Sequence, residues 1–491
     1  MTNQQTSDGV LTAARAIVVG LMFAYTAIGG AAVASVSDAV LVGLGLICLA
    51  AVTLPLFFRR NYHLLEPATP VAALVGVCVN VKLLYILWFR HSSDNVDERL
   101  LIGQGTDALM FGTTVVAVAL LVFSLGYLVT VRVPMKRIFL PRHANWNRKR
   151  VLIVLVLMLG VAALFFVLFV KGAGVNFSSP DQLSQKRFGS KGTGSAGRLH
   201  SLVYYFYRLA ALSKLVFIIT LGWILKTKRS LLSPEGGILA LSGAMAVLLC
   251  IVVSNRAGVV LVLLDAAVIW FLITRRVSFT KLAIFGAGVF AAIVFLLYIR
   301  GGSNQTMREL VEQTLAGRDL MDISKTCHII NAVPETIDYR YGETLIGWVA
   351  APIPKSMWPG KPLWAERGVY LSRYIYGDRW GFTGIPPGLI AEFYWNLGWF
   401  GVVPGMFLFG MLWRMFFENY QANETNLNAV IVYTLVINRA LLFTFGLDFG
   451  SGILKAAMDV VPFLVVVMLV SRATNPRSVT ARPSRQLVNA S

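Results

Sequence analysis

Apolar runs of 17 to 26 residues recur along this chain, separated by short polar breaks. A bilayer crossing needs about 20 mostly apolar residues. On that measure the runs at 14–34, 39–58, 68–89, 108–131, 151–170, 201–225, 238–254, 257–274, 282–299, 389–414, 428–446 and 452–471 predict transmembrane helices. Helices are the expectation because a long apolar run in lipid must satisfy its own backbone groups. The pattern predicts an all-α, polytopic integral membrane protein with about twelve spans and both termini on one side. It divides into spans one to nine over 1–299, a long loop over 300–388, spans ten to twelve over 389–471, and a basic tail over 472–491.

Composition agrees. Of 491 residues, 56% are hydrophobic and 14% charged, with a mean hydropathy of +0.68. Soluble domains carry about 25% charged residues, so a soluble globular enzyme is excluded. The net charge of +20, from 44 Lys+Arg against 24 Asp+Glu, would point to nucleic acid in a soluble protein. Here the excess sits in short loops on one predicted face. Loop 132–150 holds Arg132, Lys136, Arg137, Arg142, Arg148, Lys149 and Arg150 with no acid; loops 59–67, 226–237 and 275–281 and the tail are also basic. The positive-inside rule makes that face cytoplasmic, and no nucleic-acid partner is expected. Loop 90–107, with Asp94, Asp97, Glu98 and Asp107, falls on the other face. Residues 1–10 are polar without a basic start, so the first span reads as an uncleaved anchor. Cys48, Cys78 and Cys250 lie in apolar runs and Cys327 in a loop, with neither disulfide nor zinc spacing.

Two loops on the face opposite the basic one exceed ordinary connectors. Loop 171–200 is polar and rich in Gly and Ser. Segment 300–388 is 89 residues long, with ten Lys+Arg and nine Asp+Glu, which predicts a folded rather than a linking segment. Met307, Leu310, Val311, Thr314 and Leu315 recur at helical spacing, as do Leu320, Ile323, Cys327 and Ile330. The spacing predicts two short amphipathic helices on the membrane surface.

Ionisable residues in or near lipid are the functional candidates, because they are costly there. Arg256 lies in the break Ser254-Asn255-Arg256-Ala257-Gly258 between two short spans. It reads either as a snorkelling turn residue or as a phosphate ligand, since arginine offers a planar fork of donors. Arg439 lies eleven residues inside span 428–446 and needs an internal acid, Asp448 or another, or a charged ligand. Lys186, Arg187 and Arg198 place positive charge on the face that should be poor in it. Glu392 and Asn396 share a helix face by their spacing of four, and Glu392 stands where the helix dipole favours its charge. It reads as a helix-start carboxylate or as a general base for a hydroxyl. His328 is the histidine of the long loop and the reserve base. There is no Gly-rich phosphate loop, no paired-carboxylate metal motif and no HExxH. Neither a metal nor a cofactor is expected, so any activated donor would arrive through the membrane.

The stretch 341–401 carries a more specific signal. It contains Tyr341-Gly342-Glu343-Thr344, then Ile353-Pro354-Lys355-Ser356-Met357-Trp358-Pro359-Gly360-Lys361-Pro362, then Gly384-Ile385-Pro386-Pro387-Gly388 and Ala391-Glu392-Phe393-Tyr394-Trp395-Asn396-Leu397-Gly398 with Gly401. This resembles the O-antigen polymerases of the Wzy type, the oligosaccharide repeat-unit polymerases. Those show an Ile-Pro-Arg/Lys-x-x-Trp-Pro-x-Lys-Pro run and a Glu-x-Tyr-x-Asn-x-Gly segment opening a late helix. Ala391 replaces a common glycine, and Ala257 intervenes in the break that otherwise resembles the family's Ser-x-Arg-Gly turn. The topological likeness runs the length of the chain, while the specific motif covers about 60 residues.

The resemblance implies a GT-C-type glycosyltransferase of the bacterial inner membrane with its active site facing the periplasm. It implies that an oligosaccharide repeat unit on undecaprenyl diphosphate is both donor and acceptor. A polysaccharide chain-length regulator and membrane lipids would be its other partners. Arg187, Arg256 and Arg439 are then expected at the diphosphates together with Lys186, and Glu392 as base with His328 in reserve. Lys355, Trp358, Lys361, Tyr394 and Asn396 would shape the loop or bind sugar. Alternative readings are an O-antigen ligase, which would also use a long late loop, and a lipid-linked oligosaccharide flippase. The Trp-Pro-x-Lys-Pro run favours the polymerases, and no internal repeat of the transporter kind is evident.

Overall fold

In a computed structural model the chain is described at residues 2–59, 62–89, 105–129, 146–172, 203, 205–253, 256–274, a few positions between 284 and 295, and 322–350, 353, 357–360, 367–376 and 385–471. These residues are almost entirely helical; their one β-contact is an isolated bridge between Trp146 and Ser471. The helices are α1 Thr2–Ala32, α2 Val36–Phe58, α3 Ala68–Val75, which passes through a π-helical turn Gly76–Val81 into α4 Lys82–Phe89, α5 Thr106–Leu128, α6 Arg148–Gly172, α7 Leu212–Thr227, α8 Pro234–Val252 and α9 Arg256–Thr274. Then follow α10 Ile323–Ala332, α11 Glu343–Ile346, α12 Arg367–Tyr376, α13 Leu389–Leu397, α14 Trp399–Gln421, α15 Leu427–Val436, a second π-helical turn Ile437–Leu441, α16 Leu442–Gly446 and α17 Phe449–Val470.

Ten helices among the described residues are long and apolar enough to cross a membrane, with Gly258–Thr274 a shorter apolar one. The chain is therefore a polytopic membrane protein. The predicted span 282–299 and the predicted surface helix at 307–315 lie largely or wholly outside the described residues.

Side-chain caps start several helices where the sequence offers them. Ser35 accepts from the Asp38 amide at 3.2 Å, Asn426 from that of Asn428 at 3.0 Å, and Asp448 from that of Ser451 at 2.7 Å. Each supplies an acceptor to an otherwise orphaned N–H. Between helices, the closest approaches use glycine. A Cβ on Gly126 would lie 2.1 Å from the Phe407 carbonyl oxygen, and one on Gly410 equally close to that of Phe123. The backbones of α5 and α14 thus touch at two levels, as small residues allow where lipid supplies no hydrophobic drive between helices. Phe123, Tyr127, Phe409, Phe417, Tyr433 and Phe445 fill the core around this pair.

One end of the bundle is held by polar contacts. Glu66 accepts from the Tyr127 hydroxyl at 2.9 Å and the His63 amide at 3.0 Å, is hydrogen-bonded to Arg59, and lies 3.6 Å from Arg414. Arg148 meets Glu235 at 2.8 Å, and Trp146 stacks on Trp223 and donates to Asn428 at 3.1 Å. Arg15 donates to the carbonyls of Leu56 and Arg59 at the last turn of α2. Elsewhere α10 packs on α5, and α13 packs on α10.

Two expectations change here. Residues 323–332 form α10, but the helix does not lie on a surface. Ile323, Cys327 and Ile330 face α5, where Cys327 sits directly against Gly112, while Lys325 and His328 on its other side are also buried. Asn331 locks it by donating to the Ala108 carbonyl at 2.7 Å. The run 389–414 is not one span either. It breaks at Gly398, at φ +56° and ψ −137°, into the nine-residue α13 and the membrane-length α14. Only glycine takes that backbone conformation without steric cost.

Candidate functional site

The break at Gly398 fixes where Glu392 and Asn396 go. Glu392 is fully buried, and its Oε2 accepts from the Phe449 amide at 2.6 Å. It therefore caps not its own helix but the start of α17, beside the N-cap Asp448, and the neighbouring Gly388 amide donates to the Leu447 carbonyl at 2.6 Å. The start of this 22-residue helix supplies otherwise unpaired N–H groups, one of which that carboxylate takes up. Asn396, also buried, donates to Thr344 Oγ1 at 2.6 Å and to the Glu392 carbonyl at 2.7 Å, while its Oδ1 accepts from the Gly342 amide at 2.8 Å. The pair predicted on one helix face is thus a structural joint. It ties segment 338–344 to α13 and α13 to α17.

Tyr394 is buried, edge-on to Phe111 and Trp399. Trp358 is exposed. Lys186, Arg187, Lys355 and Lys361 lie outside the described residues, as does the side chain of Arg256, whose backbone opens α9.

Arg439 has the internal acids that its depth demanded, but not Asp448. Its Nη1 and Nη2 lie 2.7 Å from the two carboxylate oxygens of Asp265 on α9, and its Nε donates to Asp459 of α17 at 2.8 Å. Asn438 donates to the same Asp265 at 2.7 Å. The π-helical turn 437–441 places Asn438 and Arg439 side by side toward α9. A guanidinium gripped by two carboxylates is already neutralised, so its first role is to clamp three helices together.

Outward from this clamp lies a set of cations absent from the sequence-based candidates. Lys455 of α17 is within electrostatic reach of Arg208, Lys214 and Arg439, with Asp448 the one carboxylate among its main charged neighbours. Lys214 of α7 lies near Cys250 of α8 and within electrostatic reach of Arg439. Arg208, six residues before Lys214, lies over the Tyr207 ring at 5.9 Å. All three side chains keep partial exposure inside an otherwise apolar bundle. Asp265 and Asp459 are taken up by Arg439, and Asp448 stands near Lys455. Lys455 sits six residues into α17, about 9 Å along the axis from the Glu392–Phe449 joint. Charges this costly mark ligand sites by default. The rule that singles out Arg439 applies to these residues too, but each sits singly within a long apolar run, where hydropathy averages it away.

The second base candidate stands on α10. His328 is buried on α10, which packs against α13. Burial pushes its pKa below the ordinary 6.5, so the imidazole stays neutral, and able to accept a proton, further into acid. If His328 is the base, the acid limb of the kcat/KM profile is expected at a midpoint below pH 6.5. A His328→Gln protein should lose that limb along with most of its activity, whereas a wild-type limb at or above pH 6.5 would remove His328 from the role.

Among the described residues no group of three or more His, Cys, Asp or Glu could hold a metal ion. No family model, no curated protein and no solved structure matches this chain.

Proposed function

We propose that this protein is a twelve-span glycosyltransferase of the bacterial inner membrane. It joins oligosaccharide repeat units carried on undecaprenyl diphosphate into a surface polysaccharide, at a site open to the periplasm. The observation that carries the proposal is the placement of Arg208 and Lys214 within electrostatic reach of Lys455, which stands on α17 near its joint with α13. A polyprenol diphosphate brings two negative phosphoryl groups to the outer part of the membrane, where fixed cations in a water-poor setting interact with them strongly. The motif between Tyr341 and Gly401 supports the same class.

In this scheme a hydroxyl of the acceptor sugar attacks the anomeric carbon of the donor chain. The bond from that carbon to the diphosphate oxygen breaks, and its electron pair leaves on undecaprenyl diphosphate. Lys455, Lys214 and Arg208 stabilise the growing charge, with Arg256 and Arg187 as further ligands. His328 takes the hydroxyl proton in preference to Glu392, whose carboxylate is engaged by the Phe449 amide. Arg439 acts from behind, holding α9, α15 and α17 in register.

Purified protein given only lipid-linked repeat units should lengthen them and release undecaprenyl diphosphate. Lengthening without lipid A core excludes a ligase, and movement of unextended units across a vesicle membrane would support a flippase instead.

A further inference from the structure

A ladder of aromatic rings is built on α12 and α13. Tyr370 and Tyr374, one turn apart on α12, stack with centroids 4.3 Å apart and planes 30° from parallel. Tyr370 stacks in turn on Trp395 of α13 at 5.5 Å. The Arg340 guanidinium lies 4.2 Å from the Tyr370 centroid and 5.7 Å from that of Trp395. The base of the ladder is rigid. Trp395 is buried and its Nε1 donates to the Asp338 carbonyl at 3.1 Å, while the Arg340 amide donates to the Trp395 carbonyl at 3.0 Å. The top is not covered: Tyr374 is 48% exposed.

Next to Arg340 in the chain, Tyr341 is 78% exposed, although its φ of +44° is a conformation that L side chains rarely adopt. Its amide is held there by the Asn396 carbonyl at 3.0 Å, and its ring lies 6.4 Å from that of Tyr339. Backbone strain of this kind persists where the surroundings fix it, and it clusters at binding sites. Arg340 Nε is buried with no hydrogen-bond partner, and Glu343 lies 3.7 Å from the same guanidinium.

We propose that Tyr374 and Tyr341, with Arg340 and Glu343, form a saccharide-binding platform that holds the growing glycan outside the membrane. The inference rests on the polymerase reading and adds a second ligand site to it. A pyranose has one face of C–H groups and a rim of hydroxyls. The face matches an aromatic ring, whose π surface is negative, and the rim matches the tyrosine hydroxyls, a guanidinium and a carboxylate. Rings already stacked lose little freedom on binding, which is why rigid aromatics serve as recognition surfaces. An aliphatic protein partner would call for leucine and methionine at these positions instead. The placement fits as well. Trp395 is three residues beyond Glu392 on α13, so a sugar chain attached to a diphosphate at Lys455 would pass the joint and meet the ladder.

The test uses full-length protein in detergent and, as probe, delipidated surface polysaccharide from the cells that make it. The double variant Tyr341→Ala/Tyr374→Ala is expected to bind this glycan about tenfold more weakly, the equivalent of one or two stacking contacts. Its products should be shorter, while the rate of the first joining step stays within about twofold of wild type, the scatter of small surface changes. Tyr374→Phe keeps the ring and should retain most of the affinity, which guards against a folding artefact. Unchanged glycan affinity and product length in the double variant would overturn the platform while leaving the polymerase reading intact. Wild-type protein that binds glycan through these tyrosines yet joins no repeat units would uphold the platform and overturn the reading.

Discussion

Lys455→Ala is expected to slow repeat-unit joining by about 10²–10³-fold, the usual cost of removing one pre-positioned donor to a charge that develops in the transition state. The loss should fall mainly on kcat, because the leaving diphosphate carries more charge as its bond breaks than it does when first bound. Lys455→Arg preserves the charge and should recover a large share of the rate. Lys214→Ala should act in the same direction, and the two should not be additive, since both cations address one ligand. The measurement is single-turnover release of undecaprenyl diphosphate from purified protein. An alanine variant that folds normally and releases it at the wild-type rate would remove the cationic group from the site.

Asp265→Ala should be the most damaging single change to stability. Asp265 is completely buried and meets both Nη atoms of Arg439. Breaking a buried ion pair from one side leaves an uncompensated charge and costs about 3–5 kcal/mol. Asp459 remains at 2.8 Å, so the loss should fall toward the lower end of that range. Replacing both members with apolar residues of similar volume, Asp265→Leu with Arg439→Met, should restore much of the stability, since the pair had to be stripped of water to form. Unfolding of the detergent-solubilised protein by a graded denaturant would show this as a large drop in midpoint for the single variant and a partial return for the double. The double variant should still join repeat units poorly, because the clamp also sets where Lys455 stands. A double variant with full activity would confine Arg439 and Asp265 to stability alone.

At residues 389–398 hydropathy and backbone part ways. The apolar run there is continuous, so hydropathy shows one long span. The single glycine that divides it carries no hydropathy signal, because a φ of +56° is a property of the folded backbone. The position of Glu392 in a first turn was readable. That it would cap a helix 57 residues further on was not, since a carboxylate is equally at home on either helix start. Arg439 gives the opposite case. Its need for a partner followed from depth alone, but Asp265 and Asp459 could be chosen over Asp448 only once three helices were placed side by side. The helix at 323–332 was visible in its apolar face. Its polar face gave no warning that Lys325 and His328 would be buried as well.

By itself the sequence determined that this protein lives in a membrane as a bundle of helices, and which charges would have to justify their presence there. It could do so because transfer of a side chain from water to lipid is a property of the residue and its near neighbours along the chain. Which charges meet was decided by the tertiary structure alone: Arg439 with Asp265 and Asp459, Lys455 with Lys214 and Arg208, Glu392 with the start of α17. Coulomb and hydrogen-bond energies depend on separation in space, and residues far apart in sequence acquire a separation only when the helices pack.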